Sequence, residues 1–366
     1  MASLSNNARD NRRMAFRTEL PLALGCTICP DVGICGGLKV REVAFDCTAL
    51  CKCNTADEQS KCQFVCPNKP REYSRRLREI ASFDLQTIGN AQHQAACPLP
   101  LVIPWLDGRG CLEGPLPVAI VAIPLKRLFQ ARTGCVTLTG RAELERRFAL
   151  APGTRIIVTG VSFEQPIEDY WSKARAKCIV QKLAEFRLDL VTTPNFSLFS
   201  DNPRHDNLYN MKRIAICWHE LASQRIRTAL HLNARTDRDW ERWQEFLNSH
   251  PEIDVVAFEF ATGTATPERA RWYVQKLVET ACKNKHELSL VVRGGGLYLK
   301  LLRRHFQNVS LIATDPLIKA RKRKRLELGA DGKRAIWRPV QYIPGARLND
   351  LFLHNVDAVT KLATGA

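Results

Sequence analysis

Eight of the chain's fourteen cysteines fall between Cys26 and Cys66. They read C-x2-C-x5-C through Cys26, Cys29 and Cys35. They continue C-x3-C-x-C-x8-C-x3-C-P through Cys47, Cys51, Cys53, Cys62 and Cys66, with Pro67 closing. Thiolates are soft ligands suited to zinc or to iron–sulfur iron, and short spacings let several reach one ion from a tight turn. Disulfides are rare in reducing compartments, so clustered cysteines in a chain with no export signal point to metal. Eight ligands can serve two four-cysteine sites, or one site plus spare thiols. The closing Cys-Pro is similar to ferredoxin-type segments, while paired zinc knuckles are missing because only Cys26 and Cys29 form a CxxC. An iron–sulfur cluster or zinc is therefore expected, with the choice open, and a metal that only stabilises the fold fits as well as a catalytic one. The radical-type triplet CxxxCxxC is missed by one residue at Cys47, Cys51 and Cys53. The other six cysteines are scattered, and we expect them to be small buried hydrophobes.

A second group of reactive side chains falls where short β-branched runs end. Arg235, Glu259, Arg293 and Asp315 each follow or close such a run. Ionisable groups gathered there are costly to bury unless paired, so they form either an active site or an ion-pair network. Glu259 and Asp315 can divide acid and base, or nucleophile and base, with Arg235 beside them. Arg293 is followed by Gly294, Gly295 and Gly296. Glycines allow backbone N–H groups to approach an anion, and an arginine adds a bidentate contact. With Lys319 these residues make a candidate phosphate site. The same glycines equally suit a plain tight turn.

These groups need elements to hold them. Candidate strands are Val118–Ile123, Arg155–Val161, Leu188–Thr192, Ile214–Trp218, Thr228–Leu232, Val255–Phe260, Leu288–Arg293 and Val309–Thr314. Helical spacing recurs between them, as over Ile167–Phe186, Arg238–Ser249, Pro267–Lys283 and Tyr298–Phe306. Thr266-Pro267 reads as a helix cap with proline at the first position, and Asp237 as another cap. Eight strands alternating with helices predict an α/β fold, a (β/α)8 barrel-like parallel domain, with a doubly wound open sheet as the alternative. A barrel places its chemistry at the C-terminal strand ends. The expected organisation is an arm over 1–20, a cysteine-rich metal-binding module over 21–70, and a helix and proline-rich connection over 71–117. The barrel-like domain then covers 118–320, with a basic extension over 321–366. Five tryptophans at mostly helical spacing are expected in packing roles.

The chain carries 54 Lys and Arg against 37 Asp and Glu, a net +17 over 366 residues. Residues 319–338 alone hold nine basic and two acidic side chains. Within them Arg321, Lys322, Arg323, Lys324 and Arg325 form an unbroken run. Such a concentration suits a polyanion, most often DNA or RNA, although a solvated basic loop has the same composition. The longest apolar run, Leu116 to Leu125, is half the length of a membrane span, and Met1 to Arg17 has no apolar core. A cytoplasmic protein without a membrane span is expected.

Asp189-Leu-Val-Thr-Thr-Pro-Asn-Phe, Asn207-Leu-Tyr-Asn-Met-Lys-Arg, Glu259-Phe-Ala-Thr-Gly-Thr and Val291-Val-Arg-Gly-Gly, together with a Gly-Ile-Cys-Gly-Gly motif at Gly33, resemble an uncharacterised bacterial and phage family. That family pairs an N-terminal cysteine cluster with an α/β region. The resemblance spans about residues 25–320 and implies a bacterial or mobile-element setting, but carries no catalytic residues. The expectation is thus a metalloprotein whose barrel acts on a phosphorylated or nucleic-acid substrate. The alternatives are a non-enzymatic nucleic-acid binder and an iron–sulfur enzyme of radical type.

Overall fold

The computed structural model describes residues 22, 24–37, 62–94, 98–108, 112, 115–199, 202–262, 264, 266–329, 335–341 and 348–365. The arm over 1–20 and Cys47, Cys51 and Cys53 lie outside the described residues. No described helix is long and apolar enough to cross a membrane. The described chain divides into two units. One takes residues up to Asn90 with Phe196–His219 and Leu232–His250; the other takes Ala91–Asn195, Glu220–His231 and Pro251 onward.

The second unit is the expected barrel. Its strands are β1 (Val102–Pro104), β2 (Ile120–Pro124), β3 (Arg155–Thr159), β4 (Leu190–Thr192), β5 (Thr228–His231), β6 (Val255–Glu259), β7 (Ser289–Arg293) and β8 (Val309–Ala313). All neighbours pair in parallel, in the order β1-β8-β7-β6-β5-β4-β3-β2. A parallel bridge between Trp105 and Ala122 joins the two ends, with Leu106 N donating to Ala122 O at 2.9 Å. Ala122 is level with Ile157 and Leu190. Thr192, two residues on, is level with Ala229. His231, two further, is level with Ala257 and Val291. Arg293, again two on, is level with Ile312 and Ile103, and Trp105, two beyond, returns to Ala122. Four steps of two residues are the stagger that an eight-stranded (β/α)8 barrel needs to close. Its inside is packed by small and branched side chains, including Ile103, Ala122, Ile157, Leu190, Ala229, Ala257, Val291 and Ile312.

Two strand assignments change. Ile214–Trp218 lies inside the helix Arg204–Ser223. That helix buries polar side chains as well as apolar ones, including Asn207, Asn210, Lys212 and Arg213. Its sequence therefore shows no clean apolar stripe, and its β-branched and aromatic stretch imitates a strand. The strand that completes the eight is β1, in the short apolar stretch of the proline-rich connection. It is three residues long and ends in Pro104, and a proline argues against a strand when the sequence is read alone. The helix Pro267–Lys283 starts as expected, with Thr266 Oγ1 accepting from Arg269 N. Thr236, not Asp237, caps the helix Asp237–Ser249, in a reciprocal capping box with Asp239. The stretch Ile167–Phe186 is several short turns rather than one helix. Within the expected helix Tyr298–Phe306, the α-helix covers only Leu299–Leu302.

The basic run is split between elements. Arg321 ends the helix Asp315–Arg321, and Lys324 and Arg325 open β9 (Lys324–Leu328), which pairs antiparallel with β10 (Ala335–Pro339). A helix over Leu348–Thr364 follows.

In the first unit, the helices Pro70–Ile80, Arg204–Ser223 and Asp237–Ser249 pack through buried apolar and aromatic side chains, and polar contacts add to them. Tyr209 Oη donates to Glu79 Oε2 at 2.5 Å, Val65 N to Asp206 Oδ1 at 2.9 Å, and Arg242 to the Phe83 carbonyl at 2.5 Å. Lys212 Nζ donates to Thr87 Oγ1 and to the Asp84 carbonyl, and burial pushes its pKa down to about 8. Trp218, Trp240 and Trp243 are buried, as expected for packing residues, whereas Trp272 and Trp337 are only partly so. Of the scattered cysteines that are described, Cys217 is buried, but Cys135, Cys178 and Cys282 are exposed. The expectation of buried hydrophobes fails for those three.

Candidate active site and candidate metal centre

Strand side chains alternate between faces, so the residue two beyond each inward apolar position also points into the barrel. At the C-terminal ends these residues are Trp105, Pro124, Thr159, Thr192, His231, Glu259, Arg293 and Thr314. Six of the eight are polar, directly above an apolar interior. Three are ionisable, and they come from the adjacent strands β5, β6 and β7.

Glu259 and Arg293 are directly paired across β6 and β7. Arg293 Nε donates to Glu259 Oε2 at 2.5 Å. The other carboxylate oxygen accepts the backbone N–H groups of Ala261 at 2.7 Å and Thr262 at 3.1 Å. Burial pushes the Glu259 pKa up, opposed by Arg293 and these two amides. A carboxylate held this way is a positioning group rather than a free nucleophile. Neither Nη group of Arg293 donates a hydrogen bond among the described residues. The outer edge of the guanidinium is thus a fixed cationic fork, the geometry that suits phosphate or carboxylate.

His231 is buried at the end of β5. Its Nδ1 donates to the Thr193 carbonyl at 2.6 Å, and its backbone N–H donates to Thr193 Oγ1 at 3.0 Å. This fixes the tautomer, leaving the lone pair on Nε2 with no partner among the described residues. Burial, reinforced by the charge of Arg293 against the carbonyl's opposing pull, lowers the His231 pKa to about 4. The ring is a neutral acceptor at physiological pH. Gly160, just past β3, supports the arrangement from the other side. Its N–H donates to Thr192 Oγ1 at 2.9 Å, and a Cβ there would collide with the Thr193 carbonyl.

The expected site is therefore met in part. Glu259 and Arg293 come together, while Asp315 is exposed at the start of its helix. Arg235 belongs to the first unit, where its Nε donates to the Leu198 carbonyl at 2.6 Å. Gly294 and Gly295 adopt φ of +77° and +71°. A Cβ on Gly294 would strike Ala261 N, and one on Gly295 the Phe260 ring. Both glycines thus have a packing reason, and Gly296 opens only a single turn, Gly296–Tyr298. Lys319 Nζ lies over the Trp337 ring, 5.6 Å from its centre. His231 is the residue that sequence reasoning missed. Its signal was parity: Ala229 and His231 share a face, and the residue on that face at a strand end is the one that lines a barrel mouth.

Along the basic run, Arg321, Lys322 and Arg325 are exposed. Arg321 reaches the carbonyls of Asp107 and Gly108 at 3.3 and 3.4 Å, and Arg325 Nε donates to His354 Nε2 at 3.0 Å. Arg323 takes a positive φ of 51° in the turn before Lys324.

In the first unit, Cys26, Cys29 and Cys35 line one cavity of about 130 Å³ with Asp31, Arg204 and His205. Donor atoms of Cys29, Asp31 and His205 all lie within 4.8 Å of one another. His205 Nε2 meets Asp31 Oδ2 at 3.1 Å, and the His205 ring packs edge-on to Tyr73 at 5.5 Å. Buried Arg204 donates to Cys35 Sγ at 3.4 Å and pairs with Asp239 at 2.5 Å. Cys62 and Cys66 lie in the same unit, and no described cysteine is in a disulfide. The donor chemistry of this cavity fits a metal ion: soft sulfur, imidazole and carboxylate on one wall, with neighbouring thiols in reach of the same space.

Compared with protein-family models and with curated proteins, the chain matches none.

Proposed function

We propose that the protein is a metal-binding enzyme whose barrel mouth takes a phosphorylated substrate, either a small molecule or a nucleic acid. The observation that carries this reading is the Glu259-oriented fork of Arg293 beside the neutral, tautomer-fixed ring of His231. Arg293 binds the phosphate through its free Nη edge. Its charge is among the causes that depress the His231 pKa. A dianion on that fork cancels the charge and raises the proton affinity of Nε2. His231 then accepts a proton from a substrate O–H or C–H only when substrate is present, and general-base catalysis of this kind contributes about 10²- to 10⁴-fold. Glu259 holds Arg293 in place, and Thr193 holds His231.

The cysteine module supplies the metal, iron–sulfur or zinc. A zinc ion there would organise a segment with little core of its own, and an iron–sulfur cluster would add electron transfer or radical chemistry. Metal content and a visible spectrum of anaerobically purified protein separate the two. The barrel reading is tested by binding of inorganic phosphate and phosphate monoesters to wild type and Arg293→Gln. Loss of binding in the variant supports it, and equal binding removes Arg293 from the site.

A second reading, a nucleic-acid-binding protein without catalysis, draws on Arg321, Lys322 and Arg325, which are exposed beside one another at a helix end and a hairpin. A bacterial or phage setting, implied by the resemblance of the sequence, is compatible with either.

A further inference from the structure

We infer that one metal of the cysteine module is a zinc-class divalent ion held by a mixed donor set, Cys29, Asp31 and His205, rather than by cysteines alone. This rests on the metal-binding reading above and narrows it. The eight-cysteine spacing by itself names neither Asp31 nor His205. His205 stands 176 positions after Cys29 and reaches the cavity because the helix Arg204–Ser223 begins there.

The distances support one ion. Zinc bound at about 2.0–2.1 Å by nitrogen and oxygen and about 2.3 Å by sulfur separates tetrahedral ligands by about 3.3–3.6 Å. The His205 Nε2 to Asp31 Oδ2 distance is 3.1 Å, and the full set of three lies within 4.8 Å. Closing by about an ångström at Cys29, which sits on the short turn between two four-residue helices, completes the triangle. The donors are also the right kind. Sulfur, imidazole and carboxylate together suit zinc, whereas iron–sulfur clusters are held by thiolates, with histidine the exception. Cys26 lines the same cavity and offers a fourth donor. Cys35 is engaged by Arg204, a buried cation whose Nη1 has no hydrogen-bond partner among the described residues. That charge helps offset the negative charge a thiolate and a carboxylate bring into the cavity. Binding releases the Cys29 thiol proton to solvent, with no change of oxidation state.

The consequence is a long-range clamp. One ion joins the loop at residues 29–31 to the helix beginning at Arg204, within the first unit. Metal binding is then folding free energy for this unit.

The test uses the full-length protein. Zinc content and zinc affinity, by competition with a chromophoric chelator, are measured for wild type, Asp31→Asn and His205→Gln. Asp31→Asn keeps the side-chain shape and a hydrogen bond to His205, so it separates ligation from folding. Cobalt(II) replacement supplies a second readout, since the ligand-field bands report coordination. We expect each variant to lose at least tenfold in affinity for one zinc per chain, and the cobalt spectrum of Asp31→Asn to differ from wild type. Wild-type affinity and an unchanged cobalt spectrum in both variants would overturn the mixed donor set while leaving cysteine ligation standing. Iron and sulfide as the only metal content would overturn it likewise. A wild-type protein that binds no metal would remove the metal-binding reading itself.

Discussion

Arg293 and Glu259 face each other across β7 and β6, and the 2.5 Å contact uses Arg293 Nε, leaving the outer edge of the guanidinium unengaged among the described residues. Two backbone amides fill the remaining side of the carboxylate. The pair orients a cation toward the barrel axis, and this separates Glu259 from the role its residue type first suggests.

Removing one partner of a buried pair strands the other, at a cost of about 3–5 kcal/mol. Arg293 is partly exposed, so Glu259→Ala should fall at or below the lower end. Glu259→Gln keeps a hydrogen-bond acceptor and should lose less stability, yet weaken phosphate binding about tenfold by releasing the fork. Urea unfolding with phosphate titration of both variants checks this. A Glu259→Gln protein that binds phosphate as wild type does would show that the orientation of Arg293 is set elsewhere.

His231 makes the stability depend on acid. An unfolded histidine titrates near 6.5, whereas the folded ring titrates at about 4. The unfolded chain therefore binds the proton first, and the neutral ring's contribution is complete above about pH 6.5 and lost as pH falls towards 4. The shift corresponds to about 3 kcal/mol. Urea midpoints between pH 7 and 4 should fall more steeply for wild type than for His231→Gln. Parallel curves would mean that the ring does not stay neutral in the fold.

Gly160 connects the chain path to the chemistry. Gly160→Ala drives a methyl into the Thr193 carbonyl that holds His231 Nδ1. Overpacking of this kind costs about 1–3 kcal/mol. We expect that loss together with a His231 pKa below the wild-type value, because the displaced Thr193 carbonyl no longer supports the protonated ring. A destabilised variant with an unmoved His231 titration would mean that the strain is absorbed away from the site.

How far the sequence disclosed this site depends on which periodicity each residue obeys. The barrel was legible because seven of its strands are short β-branched runs between helical stretches. β1 was hidden by its length of three residues and its proline. Ile214–Trp218 misled because a helix with buried polar side chains lacks the 3.6-residue apolar stripe that identifies one. Glu259 and Arg293 were found by residue type at strand ends. His231 needed the inward parity, and Arg235 and Asp315 were included because they follow strands, although neither lies on an inward strand position. The cysteine spacing pointed to metal through Cys26, Cys29 and Cys35. It could not disclose His205, since only the fold brings that helix to the cavity.

The exposed basic side chains have their own test. Each phosphate contact contributes about 0.9 to the slope of log affinity against log salt for duplex DNA. Replacing Arg321, Lys322 and Arg325 by glutamine should flatten that slope by up to about 3 and weaken binding to all sequences alike. An unchanged slope would assign these residues to their contacts with Asp107, Gly108 and His354 alone.

The most direct measurement of the central claim is the pKa of His231, read from its imidazole NMR signals with and without saturating inorganic phosphate or a phosphate monoester. Titration near 4 in free protein should rise by a unit or more when phosphate occupies the Arg293 fork, and the rise should vanish in Arg293→Gln. A His231 pKa that phosphate leaves unchanged in wild type would contradict a barrel mouth in which Arg293 binds the substrate and His231 receives its proton.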